Sequence, residues 1–130
     1  MSDVSPQSFT FVARLRSFRF AAKGIVTMLQ SQHNAWLHAL GTVVALTAAA
    51  IFHLNRMEWC VIVLAIVAVW VAEALNTAVE YVTDIASPGF HTIAGKAKDV
   101  AAGGVLIAAL GAAIVGIIVF GPHALIWFQQ

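Results

Sequence analysis

Charge is what this chain has least of. Only 10% of its 130 residues are Asp, Glu, Lys or Arg and 61% are hydrophobic, where soluble domains carry about 25% and 45–50%. An ordinary water-soluble domain is therefore excluded, and the chain reads as a single all-α membrane domain. Seven basic residues and a net charge of +1 are too few to make a nucleic-acid surface. Cys60 is the single cysteine, which rules out an intrachain disulfide and any Cys-based zinc pattern, so a bound metal would take oxygen ligands. There is no internal repeat and no low-complexity tract.

Three long uncharged or nearly uncharged runs are present, each able to cross a hydrocarbon core of about 30 Å at roughly 1.5 Å per residue. They extend over about residues 34–54, 59–82 and 100–120. Residues 1–8 are polar with no apolar period and read as a disordered tail. Residues 9–30 mix Phe9, Phe11, Leu15 and Phe18 with Arg14, Arg16, Arg19 and Lys23, the pattern of a basic amphipathic helix lying on the membrane. That segment is too long for the n-region of a signal peptide, so the run after it reads as a retained span. Residues 53–58 form a short polar connection, and residues 85–99 form the second loop.

Four basic residues precede the first span, Lys96 and Lys98 lie between the second and third, and the first connection holds Arg56 alone. This bias predicts a cytoplasmic amino terminus, a carboxyl terminus outside, and residence in the inner or cytoplasmic membrane. Trp36, Trp59 and Trp127 are expected as interfacial anchors, and Trp70 as lipid-facing or packing. Three spans enclose little interior, so self-association is expected.

The second run carries acids where acids are expensive. At about 100° per residue, Glu80 and Asp84 fall within about 20° of Glu73, with Asn76 and Thr77 alongside at about 60° and 40°. Measured from Trp59, Glu73 lies about 21 Å along the span and Glu80 about 31 Å. A charge near mid-bilayer costs roughly 3 kcal/mol unless it meets protein, water, a metal or a counter-charge, so a polar stripe marks a functional site by default. Helix–helix hydrogen bonding is the bland alternative. Lys98 and Asp99 are expected at the depth of Glu80 and Asp84, and carboxylates beside a lysine suit Mg²⁺ with a polyphosphate. Lys96 is closer to a plain topology signal. His33, His38 and His53 are expected as interfacial hydrogen-bonders, and His91 alone as a binding candidate.

The run Glu73-Ala-Leu-Asn76-Thr77-Ala-Val-Glu80, followed by Asp84, Ser87-Pro88, His91, Gly95 and Ala97-Lys98-Asp99, resembles the prokaryotic diacylglycerol kinase and undecaprenol kinase family. The resemblance runs from about Arg14 to Phe120 and includes Lys23-Gly24 and the three-span layout. It implies a homotrimeric membrane enzyme with shared active sites that transfers the γ-phosphate of ATP to diacylglycerol or undecaprenol. By the same resemblance Glu73 is the base at the lipid hydroxyl, Glu80 binds Mg²⁺, and Asn76 joins the active-site hydrogen bonds. Asp84, Lys98 and Asp99 would bind nucleotide, and Lys23, with Arg14 and Arg16 on the basic helix, would sit near ATP or lipid.

One position departs from the pattern. Gln32 stands where the family has a second metal-binding glutamate; its carbonyl can ligate Mg²⁺, with one negative charge fewer. Ala102 stands where some members carry serine. Two other readings stay open: an inactive binding or regulatory subunit, and a small proton or cation pathway through Glu73 and Glu80.

Overall fold

The computed structural model describes residues 10–129, which form four α-helices and no strand. The expected tail, residues 1–8, and Phe9 lie outside the described residues. The helices are α1, Phe11–Ser31; α2, His33–Ile51; α3, Arg56–Ala86; and α4, Thr92–Trp127. The last three are long and apolar enough to cross a membrane. At 19 residues, α2 matches a bilayer core of about 30 Å, whereas α3 and α4, with 31 and 36 residues, run to roughly 46 and 54 Å and reach past it.

Both connections are shorter than the sequence suggests, and local caps are the reason. The expected polar connection over residues 53–58 shrinks because α3 already begins at Arg56. Asn55 Oδ1 accepts from the Met57 and Glu58 N–H groups, and the Glu58 carboxylate accepts from the Asn55 N–H. This reciprocal capping box satisfies donors that a helix start otherwise leaves open. His53, with φ of 51°, makes the tight reversal ahead of it. The expected 85–99 loop is likewise reduced to residues 87–91. There His91 Nδ1 accepts the Ile93 N–H and starts α4, so Lys96, Lys98 and Asp99 stand on helix instead of loop.

Between α1 and α2 the break is one residue. Gln32 is extended, with φ −109° and ψ 118°, and its side chain makes no capping bond to α2. It is directed elsewhere, as described below.

The helix pair α3–α4 is the frame, α2 lies against α3, and α1 touches both α2 and α3. The pair is antiparallel: Glu58 at the start of α3 meets His123 near the end of α4, and Asp84 near the end of α3 meets Lys98 near the start of α4. A packed core closes the end opposite the α3–α4 turn, where Ala49, Leu54, Ile62 and Val119 are buried among Phe52, Trp59 and Phe120. Phe52 stacks on the His123 ring and meets Trp127 edge-on, which holds the last turn of α4 through Pro122 to Trp127, beyond the expected end at residue 120. Trp59, in the first turn of α3, packs against this core.

Elsewhere most of the large apolar residues face outward. Leu40, Val44, Leu64, Ile107, Ile114 and Ile117 are all exposed, which inverts the pattern of a soluble domain and gives α2–α4 a surface made for lipid or for other helices.

Candidate active site

The polar stripe of α3 is buried at its Glu73 end and exposed at its Asp84 end. Glu73 has no exposed surface, and Asn76 and Thr77 are 5% and 4% exposed; Glu80 is half-buried and Asp84 exposed. The Thr77 hydroxyl donates to the Glu73 carbonyl at 2.9 Å, so it binds its own helix and leaves the carboxylate alone. Helical periodicity thus orders the stripe by depth, from Glu73 inward to Asp84 at the rim.

Neighbouring helices determine what each acid meets. Gln32, freed from capping, donates from Nε2 to Glu80 Oε2 at 2.6 Å across 48 residues of sequence. Asn76 Nδ2 donates to the other carboxylate oxygen, Glu80 Oε1, at 3.1 Å. The residue that departs from the family's pattern is therefore held against the expected metal ligand. Farther out, Lys98 Nζ pairs with Asp84 Oδ1 at 2.5 Å. Asp99, the next residue round the helix, is exposed, because one step turns a side chain by about 100°.

Glu73 is the exception in this network. Neither of its oxygens has a hydrogen-bond partner, nor do His38 Nε2 and Asn76 Oδ1, although all four atoms are buried. His38 Nε2 lies 3.7 Å from Glu73 Oε2, beyond hydrogen-bond length. Unsatisfied buried polar atoms are uncommon in a native structure and each calls for a reason, a bound group or a catalytic role among them. Asn34, His38, Asn76, Ala102, Val105 and Leu106 line a cleft of about 210 Å³ beside these atoms.

The sequence reading placed His38 among interfacial hydrogen-bonders; the structure puts it half-buried against Glu73 instead. A signal was there to be read. Asn34, His38 and Thr42 follow one another at four-residue steps, a polar line on an otherwise apolar helix, and Thr42 Oγ1 accepts the Trp70 indole N–H at 3.0 Å. Trp70 is thus anchored to α2 and does not simply face lipid.

The remaining candidates are not gathered into this cluster. Arg14, Arg16 and Lys23 are exposed on α1, and Lys23 borders a shallow cleft with Arg19 and Thr27. His91 uses Nδ1 to cap α4. Among the described residues no group of three His, Cys, Asp or Glu side chains could hold a metal by itself. The donor set at Glu80 nevertheless fits Mg²⁺ presented with a phosphate chain, which needs only one or two carboxylates from protein. Asn76 Oδ1 is an acceptor without a donor, and Gln32 can offer oxygen in place of nitrogen by turning its amide.

Residues 19–120 match the model of the family described as prokaryotic diacylglycerol kinase. The chain belongs to this family. As a member it is similar to a diacylglycerol kinase of Synechocystis sp., at 41% identity over 103 residues that cover 78% of this chain and 59% of that protein. It is also similar to an undecaprenol kinase of Bacillus subtilis, at 34% identity over 107 residues covering 82% of this chain and 87% of the relative. The family and the three apolar helices together make the chain a membrane protein.

Proposed function

We propose that this family member is a lipid kinase that transfers the γ-phosphate of ATP to the primary hydroxyl of a membrane lipid alcohol. The observation that carries the reading is the convergence of Gln32 and Asn76 on Glu80, next to a Glu73 carboxylate that is fully buried and unpartnered. Reaction takes place at the cytoplasmic interface, with the amino terminus inside and the carboxyl terminus outside, a reading supported by the distribution of basic residues. Homotrimer assembly is the state expected of the family resemblance. Diacylglycerol and undecaprenol are the two candidate acceptors, in keeping with the names of the two relatives.

The positions support the part that the family resemblance gives each residue. Glu73, at the buried end of the stripe, takes the proton from the lipid hydroxyl as the phosphorus is attacked. Glu80, with oxygens from Gln32 and Asn76, would hold Mg²⁺, which would supply positive charge to offset that of the nucleotide's phosphates. Lys98, held by Asp84 at the rim, supplies a cation for the nucleotide's phosphates; Lys23 on α1 and His91 at the start of α4 are further candidates for nucleotide contact. Arg14 and Arg16 hold α1 on the anionic lipid surface.

The test is transfer of labelled γ-phosphate from ATP, in mixed micelles with Mg²⁺, to diacylglycerol and separately to undecaprenol. Labelling of one lipid by the native chain, lost in Glu80→Gln, is the expected result and chooses the acceptor. A native chain that labels neither overturns the reading. One observation favours a second reading, a binding or regulatory subunit: two amide donors already satisfy Glu80. Mg²⁺-dependent ATP binding would reject that alternative.

A further inference from the structure

The α2–α3 contact in the membrane has two rungs, one helical turn apart. On α2 they start from His38 and Thr42, four residues apart; on α3 they end on Glu73 and Trp70, three apart. Side chains at such spacings lie one above the other on a helix face. The Trp70 indole N–H donates to Thr42 Oγ1 at 3.0 Å, so the two helices are tied at a definite register. The same register puts His38 opposite Glu73, with its ring edge-on to Trp70 at 6.4 Å between centroids.

Glu73 needs such a neighbour. Its side chain has three rotatable bonds, its oxygens are buried and unpartnered, and Thr77 bonds the backbone instead. A base must lie within hydrogen-bond reach of the proton it takes, and a misplacement of about 1 Å can cost 10²-fold in rate. Among the described residues His38 is the one basic side chain brought within 4 Å of the carboxylate. Its 3.7 Å separation closes to a hydrogen bond with a shift of less than about 1 Å, and catalytic hydrogen bonds often tighten in this way when substrate binds.

We infer that His38 is a positioning residue: its imidazole N–H donates to Glu73 Oε2 and holds the carboxylate so that Oε1 faces the lipid hydroxyl. The inference rests on the lipid-kinase reading and adds to it a residue that acts only through Glu73. In the transfer step the hydroxyl O–H bond breaks and its proton goes to Glu73 Oε1. The hydroxyl oxygen bonds to the γ-phosphorus, and the bond from that phosphorus to the β–γ bridging oxygen breaks, its electron pair leaving on ADP. His38 gains and loses no proton. Thr42 and Trp70 set the depth at which it donates.

The experiment compares native protein with His38→Leu, His38→Gln and Glu73→Gln in the labelled-phosphate assay, reading kcat and the KM for ATP separately. Leucine keeps an apolar filling in the groove but cannot donate; glutamine can. His38→Leu is expected to lower kcat about 10²-fold with the KM for ATP unchanged, and His38→Gln to recover kcat to within about tenfold of native. In a Glu73→Gln background, His38→Leu should cause no further loss, since the two act as one unit. Full kcat in His38→Leu overturns the inference, as do equal losses in His38→Leu and His38→Gln, or a loss that multiplies with that of Glu73→Gln. An inert native chain overturns the kinase reading itself and the inference with it, whereas an active native chain with an unimpaired His38→Leu overturns the inference alone.

Discussion

The two ends of the α3–α4 pair are built on opposite terms. Away from the α3–α4 turn, Ala49, Leu54, Ile62 and Val119 are closed over by aromatic rings, and the polar groups there are matched: Asn55 with Glu58 and Glu58 with His123 at 3.0 Å. Toward the turn Glu73, Asn76 and Thr77 are buried alongside Met28, Ala35 and Val105, and four buried polar atoms go unmatched. Helices in a bilayer gain little from the hydrophobic effect, so they are held by close packing and hydrogen bonds. The matched end has both. The unmatched end keeps its hydrogen-bonding capacity in reserve for whatever binds there, which is how a functional site differs from a structural one.

The sharpest way to break this comparison is Glu73→Leu. Loss of a general base should reduce lipid labelling by about 10²- to 10⁴-fold, while resistance to thermal unfolding in detergent holds or rises, since an unpartnered buried acid is replaced by an apolar side chain. A fall in the unfolding temperature would show that Glu73 holds the helices together. The converse change is Ile62→Ala at the packed end. It should cost about 2 kcal/mol, the low end for such truncations because the bilayer supplies no transfer term, and leave kcat unaltered; a drop in kcat without loss of stability would erase the division.

Smaller effects sharpen the picture. Gln32→Glu puts a second carboxylate beside Glu80, and the Mg²⁺ concentration for half-maximal activity should fall by about three- to tenfold, the effect of roughly 1 kcal/mol from a charged ligand. An unchanged Mg²⁺ requirement would mean that Gln32 bonds Glu80 for structure alone. Asn55→Ala removes the cap of α3 and should lower stability by about 1 kcal/mol with no change in Mg²⁺ dependence, measured by unfolding in detergent and by metal titration.

Much of the molecule is legible in the sequence alone. The three apolar runs become α2, α3 and α4, and the segment rich in Arg and Phe becomes α1, because length and hydropathy are local properties. The ends were misjudged where caps act: Asn55 and His91 start their helices several residues earlier than the apolar runs suggest. Lys98 was expected near Asp84 and pairs with it. His38 is expected only as an interfacial hydrogen-bonder: its polar line with Asn34 and Thr42 shows in the sequence, but its partner on α3 does not. Gln32 drew notice only as a departure from a pattern, and its reach to Glu80 depends on a break in the backbone that no periodicity encodes.

By itself, then, the sequence determined the membrane-crossing helices and the polar face of α3, since a repeat of 3.6 residues is a property of one helix alone. Only the tertiary structure decided that Gln32 meets Glu80 and that His38 stands opposite Glu73. Those meetings depend on the register between helices, and register is set by side chains interlocking across a gap, as Trp70 does with Thr42.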